Sequence, residues 1–306
     1  MSLSVVIRGA ARRSVINLLV IGWNCCNMWT LCVLLLVGVY QVNSLKIAAF
    51  NIRRLGAHAV SNHDALHRMI QIVGRYDIAV IEEVMDLTGI GQIVSGLNSQ
   101  HGTTKYTFIH SDKIGRTSYK EYYGFIYRSD LVSVKKTYQY NDVHDWFERE
   151  PFSVLFNAPT ASLTDFVITG IHIKPSDAPN EISHLPTVYH SVSSALSNEN
   201  VMIAGDYNAD CSYLSATKLS SNPLYTDKSF TWLISSTVDS TASHHTNCAY
   251  DRFVVAGDKF KEAIVPHSAK AYNYETGLHL TFDEAWAVSD HYPIELEMKD
   301  SLDIVG

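Results

Sequence analysis

Apolar and polar residues alternate along the chain in short runs that predict a series of β-strands with helices between them. Strands are predicted at residues 45–52, 77–84, 106–109, 123–128, 166–173, 201–205, 252–256 and 293–298. Many of these runs are almost continuously apolar, as expected for sheets covered on both faces. Helices are predicted between them, notably at residues 63–76 and 181–196. This alternation indicates a layered α/β domain.

Residues 1–44 have a different pattern, with three arginines, no Asp, Glu or Lys, and an apolar stretch from about residue 15 to residue 40. A basic start, an apolar core and small residues at the end are typical of a secretory signal peptide. We expect cleavage after Ser44 and a secreted, extracellular protein. The alternative is an uncleaved anchor, because the apolar stretch is long enough to span a bilayer.

Residues 45–306 contain no repeat and no Pro/Gly/Ser-rich linker, so we expect one domain. This part of the chain keeps two cysteines, Cys211 and Cys248. An even pair in an exported protein indicates one disulfide bond, and two buried free thiols are the alternative.

The charge of the mature chain is acidic. Without the three leader arginines, 21 basic residues stand against 31 acidic ones, a net charge of −10. A protein that holds DNA by charge alone is basic, so this balance argues against a passive DNA-binding module. An acidic protein that acts on a polyanion needs another source of positive charge, and bound divalent cations supply it.

Polar residues recur at the ends of six predicted strands, where open sheets place their active sites. These positions are Asn51, the pair Glu82–Glu83, His172, Asp206 with Asn208, Asp251, and Ser289–Asp290–His291. Carboxylates and an Asn carbonyl are hard oxygen ligands suited to Mg²⁺, Mn²⁺ or Ca²⁺. Histidines beside carboxylates are suited to proton transfer near neutral pH. The mixture is what hydrolysis of a phosphodiester requires.

This set of residues resembles the endonuclease/exonuclease/phosphatase superfamily. Longer segments at residues 45–53, 115–121, 205–213 and 246–252 resemble its deoxyribonuclease I branch, in collinear order over about residues 45–298. The resemblance implies a four-layer α/β/β/α sandwich with two packed mixed β-sheets. It also implies a monomeric endonuclease that cleaves double-stranded DNA to 5′-phosphate and 3′-hydroxyl ends.

The resemblance assigns roles residue by residue. His172 and His291 would be the general acid and base, oriented by Glu121 and Asp251 respectively. The catalytic Mg²⁺ or Mn²⁺ would be held by Glu83, rather than its neighbour Glu82, together with Asn51, and Asp206, Asn208 and Asp290 would bind metal or the scissile phosphate. DNA contacts would come from Arg53, Tyr119, Arg149 and Tyr250, and the Cys211–Cys248 disulfide would stabilise the fold.

Two structural Ca²⁺ sites are also implied by the resemblance. The first would comprise Asp142, Asp145, Phe147 through its main chain, and Glu150. The second would comprise Asp239, Thr241, Ser243 and Thr246.

The sequence departs from this pattern at several positions. The loop at residues 141–145 is short and lacks a small second disulfide. Met85 replaces an arginine that reads the minor groove, which would weaken DNA binding and its salt dependence. His110 replaces an aliphatic residue at the edge that binds actin in some members, which argues against actin binding.

Two other functions are compatible with parts of the sequence. A phosphodiesterase of the same fold acting on a lipid, as in the neutral sphingomyelinases, would not need the four DNA-facing residues. A non-catalytic secreted binding protein would have lost some of the histidines and carboxylates, and all of them are present.

Overall fold

The structure is a computed structural model, and it describes residues 2–8, 13–19, 36–42, 44–102 and 105–304. An antiparallel three-stranded sheet precedes residue 44. Its strands, in the order β1-β2-β3, are β1 (Ser2–Arg8), β2 (Arg13–Leu19) and β3 (Leu36–Val42). Much of the predicted signal peptide lies outside the described residues, so its cleavage after Ser44 stays a prediction. Within the described residues no helix is long and apolar enough to cross a membrane.

The rest of the chain is built on two six-stranded sheets. One has the order β14-β15-β4-β5-β7-β6. Its strands are β4 (Leu45–Leu55), β5 (Ile78–Val84), β6 (Tyr106–His110), β7 (Tyr122–Arg128), β14 (Lys270–Ala271) and β15 (Ile294–Met298). The sheet is mixed, because β4 and β5 are parallel whereas β5 and β7 are antiparallel.

The second sheet has the order β12-β13-β11-β10-β9-β8. Its strands are β8 (Ser133–Gln139), β9 (Phe152–Asn157), β10 (Asp165–His172), β11 (Val201–Asp206), β12 (Thr231–Trp232) and β13 (Asp251–Ala256). It is mixed too, with β10 parallel to β11 and β11 antiparallel to β13.

Helices cover the outer face of each sheet. The first sheet is covered by α1 (Ala57–Val60), α2 (His63–Val73), α3 (Leu87–His101), α8 (Tyr274–Gly277) and α9 (Phe282–Trp286). The second sheet is covered by α4 (Ala178–Leu196), α5 (Ala216–Ser220) and α6 (Pro223–Thr226), whereas α7 (Asp258–Ala263) packs at the end of β13. This is the predicted α/β/β/α sandwich, and the prediction is confirmed.

Strand β4 shows how one sequence serves two cores. Ile47 and Ala49 pack into the core between the sheets, whereas Ala48, Phe50 and Ile52 pack under the helices. Successive side chains of a strand point to opposite faces, so a strand buried on both faces must be apolar at nearly every position. The continuous apolar runs of the sequence have this origin.

The predicted disulfide is present between Cys211 and Cys248, whose Cα atoms are 5.9 Å apart. It joins the loop that follows β11 to the segment that leads into β13. The alternative of two free thiols is therefore wrong.

Candidate active site

The polar residues at the strand ends lie on the faces that the two sheets turn towards each other. Asn51, His172, Asp206 and Asp251 keep the period of two that places their strand neighbours in the central core. Each side chain therefore points between the sheets, at the point where the apolar core ends. All four are at most 5% exposed.

Strand direction brings these residues to one edge. The parallel strands β4 and β5 end there, as do β10 and β11, while the antiparallel β13 begins there. His172 is paired in register with Asp206, and Asp206 with Asp251. His291 joins them because it precedes β15, which runs antiparallel to β4.

Two histidine–carboxylate pairs face each other across Asp206. His172 Nδ1 lies 2.9 Å from Glu121 Oε1, and His291 Nδ1 lies 2.8 Å from Asp251 Oδ2. The Nε2 atoms of both histidines lie 3.7 Å from the same oxygen, Oδ2 of Asp206. Each imidazole is thus oriented by one carboxylate and turns its other nitrogen into the centre of the site.

The carboxylates raise the pKa of both imidazoles. Burial disfavours the charged imidazolium, but Asp251 and Asp206 outweigh burial and raise the pKa of His291 well above its usual value. Burial and the Arg149 charge oppose protonation of His172, yet Glu121 still raises its pKa. For Glu121, burial is outweighed by His172 and Arg149, which lower the pKa of its carboxyl. Both histidines are therefore suited to hold and transfer a proton near neutral pH.

Glu83 projects into the site where β5 becomes irregular. The residue has a left-handed backbone, with φ of 55°, and the register of β5 shifts between Ile81 and Val84. Its Oε1 accepts a hydrogen bond from Asn51 Nδ2 at 3.3 Å, and its Oε2 accepts one from the Tyr119 hydroxyl at 2.8 Å. The structure thus brings Glu83 and Asn51 together, as the sequence predicts.

Glu82 occupies a different environment from its neighbour. It points between the sheets and is fully buried, and within the described part of the chain neither carboxylate oxygen has a hydrogen-bond partner. Burial, with the nearby charges of Asp251 and Asp206, raises the pKa of Glu82 well above its usual value. The sequence pattern predicts no role for Glu82.

The donor atoms of the site fit a hard divalent cation. Asn51 Oδ1 and Asp251 Oδ1 are buried and have no hydrogen-bond partner among the residues that the structure describes, so both have lone pairs available to a ligand. Ligand atoms of Asp206, Asp251 and His291 all lie within 4.8 Å of one another. Oxygen-rich sites of this kind suit Mg²⁺, Mn²⁺ or Ca²⁺.

The two remaining residues of the predicted metal set lie at the margin of this cluster. Asn208 donates from Nδ2 to the carbonyl of Ile173 at 2.9 Å, and its backbone N–H donates to Asp206 Oδ1 at 2.9 Å. Asn208 therefore fixes the orientation of Asp206. Asp290 is partly exposed beside Ser289, whose hydroxyl donates to the Asn51 carbonyl at 2.7 Å.

The four predicted DNA contacts are all partly exposed around the site: Arg53, Tyr119, Arg149 and Tyr250. Arg149 differs from the others because its side chain is only 11% exposed and its Nε lies 2.9 Å from Glu121 Oε2. Its Nη1 donates to the His172 carbonyl at 3.2 Å. The structure places Arg149 behind the Glu121–His172 pair, as a support for both residues.

The first predicted calcium site is partly assembled. Oδ2 of Asp142 accepts a hydrogen bond from the Phe147 backbone at 2.7 Å. Asp142 Oδ1 and Glu150 Oε2 are buried, and neither has a hydrogen-bond partner in the described ranges of the chain. Asp145 points elsewhere, since its side chain is 75% exposed and its Oδ1 lies 2.7 Å from Arg116 Nε. The free oxygens are those of Asp142 and Glu150.

The second predicted calcium site is a loop closed by its own hydrogen bonds. Asp239 Oδ1 accepts from the backbone and hydroxyl of Thr241 and from the backbone of Cys248. The hydroxyls of Thr241 and Thr246 lie 3.1 Å apart. Ser243 is turned towards the backbone N–H of His245 instead.

Two further residues beside the site had no role in the sequence analysis. Arg54 is exposed, has φ of 50°, and its guanidinium lies 5.9 Å from the Tyr119 ring centroid. Tyr213 is 40% exposed and stacks against Tyr250 at 5.2 Å. The adjacent arginines Arg53 and Arg54 could have indicated Arg54 from the sequence. The position of Tyr213 beside Tyr250 could not be predicted, because it depends on a contact between distant segments.

Comparison with known families gives one match over most of the chain. Residues 48–291 match the model of the endonuclease/exonuclease/phosphatase family. Deoxyribonuclease-1 of Oryctolagus cuniculus is 44% identical over 276 residues, which cover 88% of this chain and 96% of that protein. Deoxyribonuclease-1 of Homo sapiens is 43% identical over 263 residues, covering 84% and 93%.

Solved structures show the same fold at low sequence identity. TDP2 of D. rerio, complexed with a single-strand DNA product, aligns with a TM-score of 0.60 at 14% identity and covers 83% of this chain and 98% of its own. The catalytic domain of human Nocturnin, with a bound sulfate anion, aligns with a TM-score of 0.57 at 11% identity, covering 84% and 93%.

Proposed function

The chain belongs to the endonuclease/exonuclease/phosphatase family, as a deoxyribonuclease I-like member, and we propose that it is a secreted deoxyribonuclease that hydrolyses phosphodiester bonds of double-stranded DNA. The observation that carries this proposal is the pair of oriented histidines, His172 and His291, whose Nε2 atoms lie equally far from one oxygen of Asp206. A phosphate bound over Asp206 would meet one imidazole on the side of the attacking water and the other on the side of the leaving oxygen.

The proton transfers follow from the two pairs. One imidazole takes the proton of the attacking water at Nε2, and the other donates its Nε2 proton to the leaving 3′ oxygen. Glu121 and Asp251 keep the opposite nitrogens fixed and stabilise each imidazolium. The products are then a 5′-phosphate and a 3′-hydroxyl.

The catalytic Mg²⁺ or Mn²⁺ would be held by Asn51, Glu83 and Asp206, together with Asp290 and the free oxygen of Asp251. When bound, such an ion supplies positive charge next to the developing charge on phosphorus. It also offsets the acidic balance of residues 45–306, which would otherwise repel a polyanion. The free oxygens of Asp142 and Glu150 support a structural Ca²⁺ at that loop, and the Asp239–Thr246 loop is proposed as the second.

Double-stranded DNA is the preferred substrate because cationic and aromatic groups surround the site. Arg53, Arg54, Tyr119 and Tyr250 can contact phosphates and sugars, which a lipid phosphodiesterase does not require. We further propose a monomer that does not bind actin. The exposed end of β6 carries the polar ring of His110, whose Nδ1 lies 2.7 Å from the Ser111 carbonyl.

A plasmid assay tests the proposal. The full chain is expressed in secreting cells, purified from the medium, and incubated with supercoiled plasmid in Mg²⁺, Mn²⁺ or Ca²⁺, alone and together, or in EDTA. We expect nicking with divalent cations and none in EDTA. DNA ligase should reseal the nicks, because ligation requires a 5′-phosphate and a 3′-hydroxyl.

The controls separate the alternatives. His172→Ala should reduce the rate by about 10²–10⁴-fold, whereas His190→Ala, at an exposed position of α4, should leave it unchanged. Plasmid that stays intact under every metal condition would exclude the nuclease, and release of phosphocholine from sphingomyelin vesicles would indicate a lipid substrate. An N-terminus at Leu45 on the secreted protein would establish the cleavage site.

A further inference from the structure

Trp286, at the end of α9, holds one of the cationic groups beside the active site. The guanidinium carbon of Arg53 lies 5.0 Å from the centroid of the Trp286 ring, within the range of a cation–π interaction. Nη2 of Arg53 also donates to the Trp286 carbonyl at 3.0 Å. One residue thus fixes the guanidinium through both its ring and its backbone.

Arg53 is tied to the catalytic cluster at its other end. Its backbone N–H donates to Ser289 Oγ at 3.3 Å, and the same hydroxyl donates to the Asn51 carbonyl at 2.7 Å. Asn51 contacts Glu83 and Asp206. The backbone of Arg53 therefore cannot shift without moving the residues that surround the scissile bond.

The charge of Arg53 remains available for a ligand. Among the residues that the structure describes, no carboxylate lies within 4.0 Å of its guanidinium, in contrast to Arg68, Arg75, Arg116, Arg128 and Arg149. A cation that is held in place and unpaired at the rim of an acidic site is suited to a phosphate group.

The Trp286 ring is itself supported. Phe282 stacks on it at 5.5 Å with an interplanar angle of 30°, and the His244 ring lies 4.4 Å from Phe282. Nε2 of His244 lies 3.0 Å from Glu275 Oε1. Helix α9 begins with a capping box in which Thr281 and Glu284 bind each other's backbone N–H groups. The short helix therefore presents Trp286 on a rigid base.

We propose that Trp286 is a positioning residue that holds Arg53 in place to bind a DNA phosphate next to the scissile bond. This inference rests on the proposed nuclease function. Trp286 acts by preorganisation, because an arginine already confined by a ring and a carbonyl loses less side-chain freedom when the phosphate binds. We therefore expect Trp286 to affect the affinity for DNA and the salt dependence of DNA binding.

The test compares DNA binding and cleavage by Trp286→Leu, Trp286→Phe and the wild-type chain. Binding of a short duplex is measured with Mg²⁺ in a His172→Ala background over a range of salt concentrations. We expect Trp286→Leu to weaken binding about three- to tenfold, the range of one cation–π contact. It should raise KM by a similar factor and leave kcat nearly unchanged, whereas Trp286→Phe should restore most of the affinity.

The salt dependence separates positioning from general damage. Loss of one phosphate contact reduces the slope of log K against log salt by about 0.9. Trp286→Leu and Arg53→Gln should both reduce the slope by up to this amount, and the double variant should bind no more weakly than Arg53→Gln alone. Tyr272→Leu is the matched control, because it removes the stack of Arg75 on Tyr272, 3.6 Å apart, which involves none of the predicted DNA contacts.

The proposal would be overturned if Trp286→Leu and Arg53→Gln weakened DNA binding independently, so that the double variant lost the sum of both effects. An unchanged salt slope in Trp286→Leu would overturn it too. Should Trp286→Leu fail to fold, Arg53→Lys gives the same information, because an ammonium keeps the charge but loses the planar stack. It should then bind more weakly than wild type but more tightly than Arg53→Gln, which loses the charge as well. A wild-type chain that binds duplex DNA but cuts none would contradict the proposed function and leave this comparison of affinities intact.

Discussion

Glu181 is a buried acid outside the proposed catalytic cluster. Its carboxylate accepts hydrogen bonds from the backbone of Glu148 at 3.0 Å and of Lys174 at 3.2 Å. Burial outweighs these bonds and raises the pKa of Glu181 to about 7. The side chain joins the loop that carries Arg149 to the first turn of α4, so its ionisation affects the support of the site.

The stability of the protein should depend on the protonation of Glu181 between pH 4.5 and about pH 7. In the unfolded chain Glu181 ionises near its ordinary pKa of 4.5, but in the folded chain it keeps its proton up to about pH 7. The folded state binds more protons in this window, so the free energy of unfolding falls as pH rises through it. Glu181→Gln should therefore gain stability relative to wild type from pH 4.5 to 7, by at most about 3 kcal/mol.

Denaturant unfolding at a series of pH values measures this difference. Glu199→Gln, at an exposed position, is the control and should track the wild type throughout. A gap between Glu181→Gln and wild type that stays constant from pH 4.5 to 7 would contradict the assignment.

Individual site residues were predictable to the extent that they depend on strand periodicity. Asn51, His172 and Asp206 follow apolar runs, and the period of two fixes the face on which each lies. The stack of Trp286 on Arg53 was not predictable, because 233 positions separate the two residues. The ion pair of Arg149 with Glu121 depends on packing in the same way.

At the scale of elements, the sequence indicated eight of the twelve described strands in the two main sheets and missed β8, β9, β12 and β14. Strand β8 lies at a sheet edge and is mostly exposed, so it has no apolar run. Helix α3 contains three glycines, Gly89, Gly91 and Gly96, which lower helix propensity and mask its pattern. Its buried face becomes visible only when it packs on the first sheet.

Gly205 marks the closest approach of elements at the site. Its φ is 142°, and a Cβ atom there would overlap the Ile171 carbonyl oxygen of β10 and crowd Oε1 of Glu82. Gly205→Ala should destabilise the fold by roughly 3 kcal/mol or more, because backbone atoms cannot move aside. Activity should fall with it, since Asp206 is the next residue.

Gly91→Ala is the matched control for this substitution. It lies inside α3, and among the described residues no atom beyond its chain neighbours and the adjacent backbone of its own helix lies within 4 Å of the Cβ that alanine would add. It should stabilise the protein by about 1 kcal/mol. Thermal unfolding measures both variants, and a Gly205→Ala protein as stable as wild type would refute the steric argument.

At the scale of the whole molecule, the disulfide connects segments that flank the site. Cys211 and Cys248 are 37 positions apart, and the bridge joins the loop after Asp206 and Asn208 to the approach of Asp251. Replacing both cysteines with serine should lower the free energy of unfolding by roughly 3–4 kcal/mol. Unfolding is followed with and without reductant. Reductant should destabilise the wild type and leave the double variant unchanged, and equal sensitivity of the two proteins would count against the prediction.

The cluster of Asn51, Glu83, His172, Asp206, Asp251 and His291 draws its members from both sheets and spans 241 positions of the chain. A ribosome-bound fragment that ends before residue 291 lacks one of the two imidazoles of the proposed reacting pair. A complete chain with its two sheets undocked has no common centre for the two imidazoles. We therefore expect activity to appear only after synthesis has passed residue 291 and the two sheets have docked.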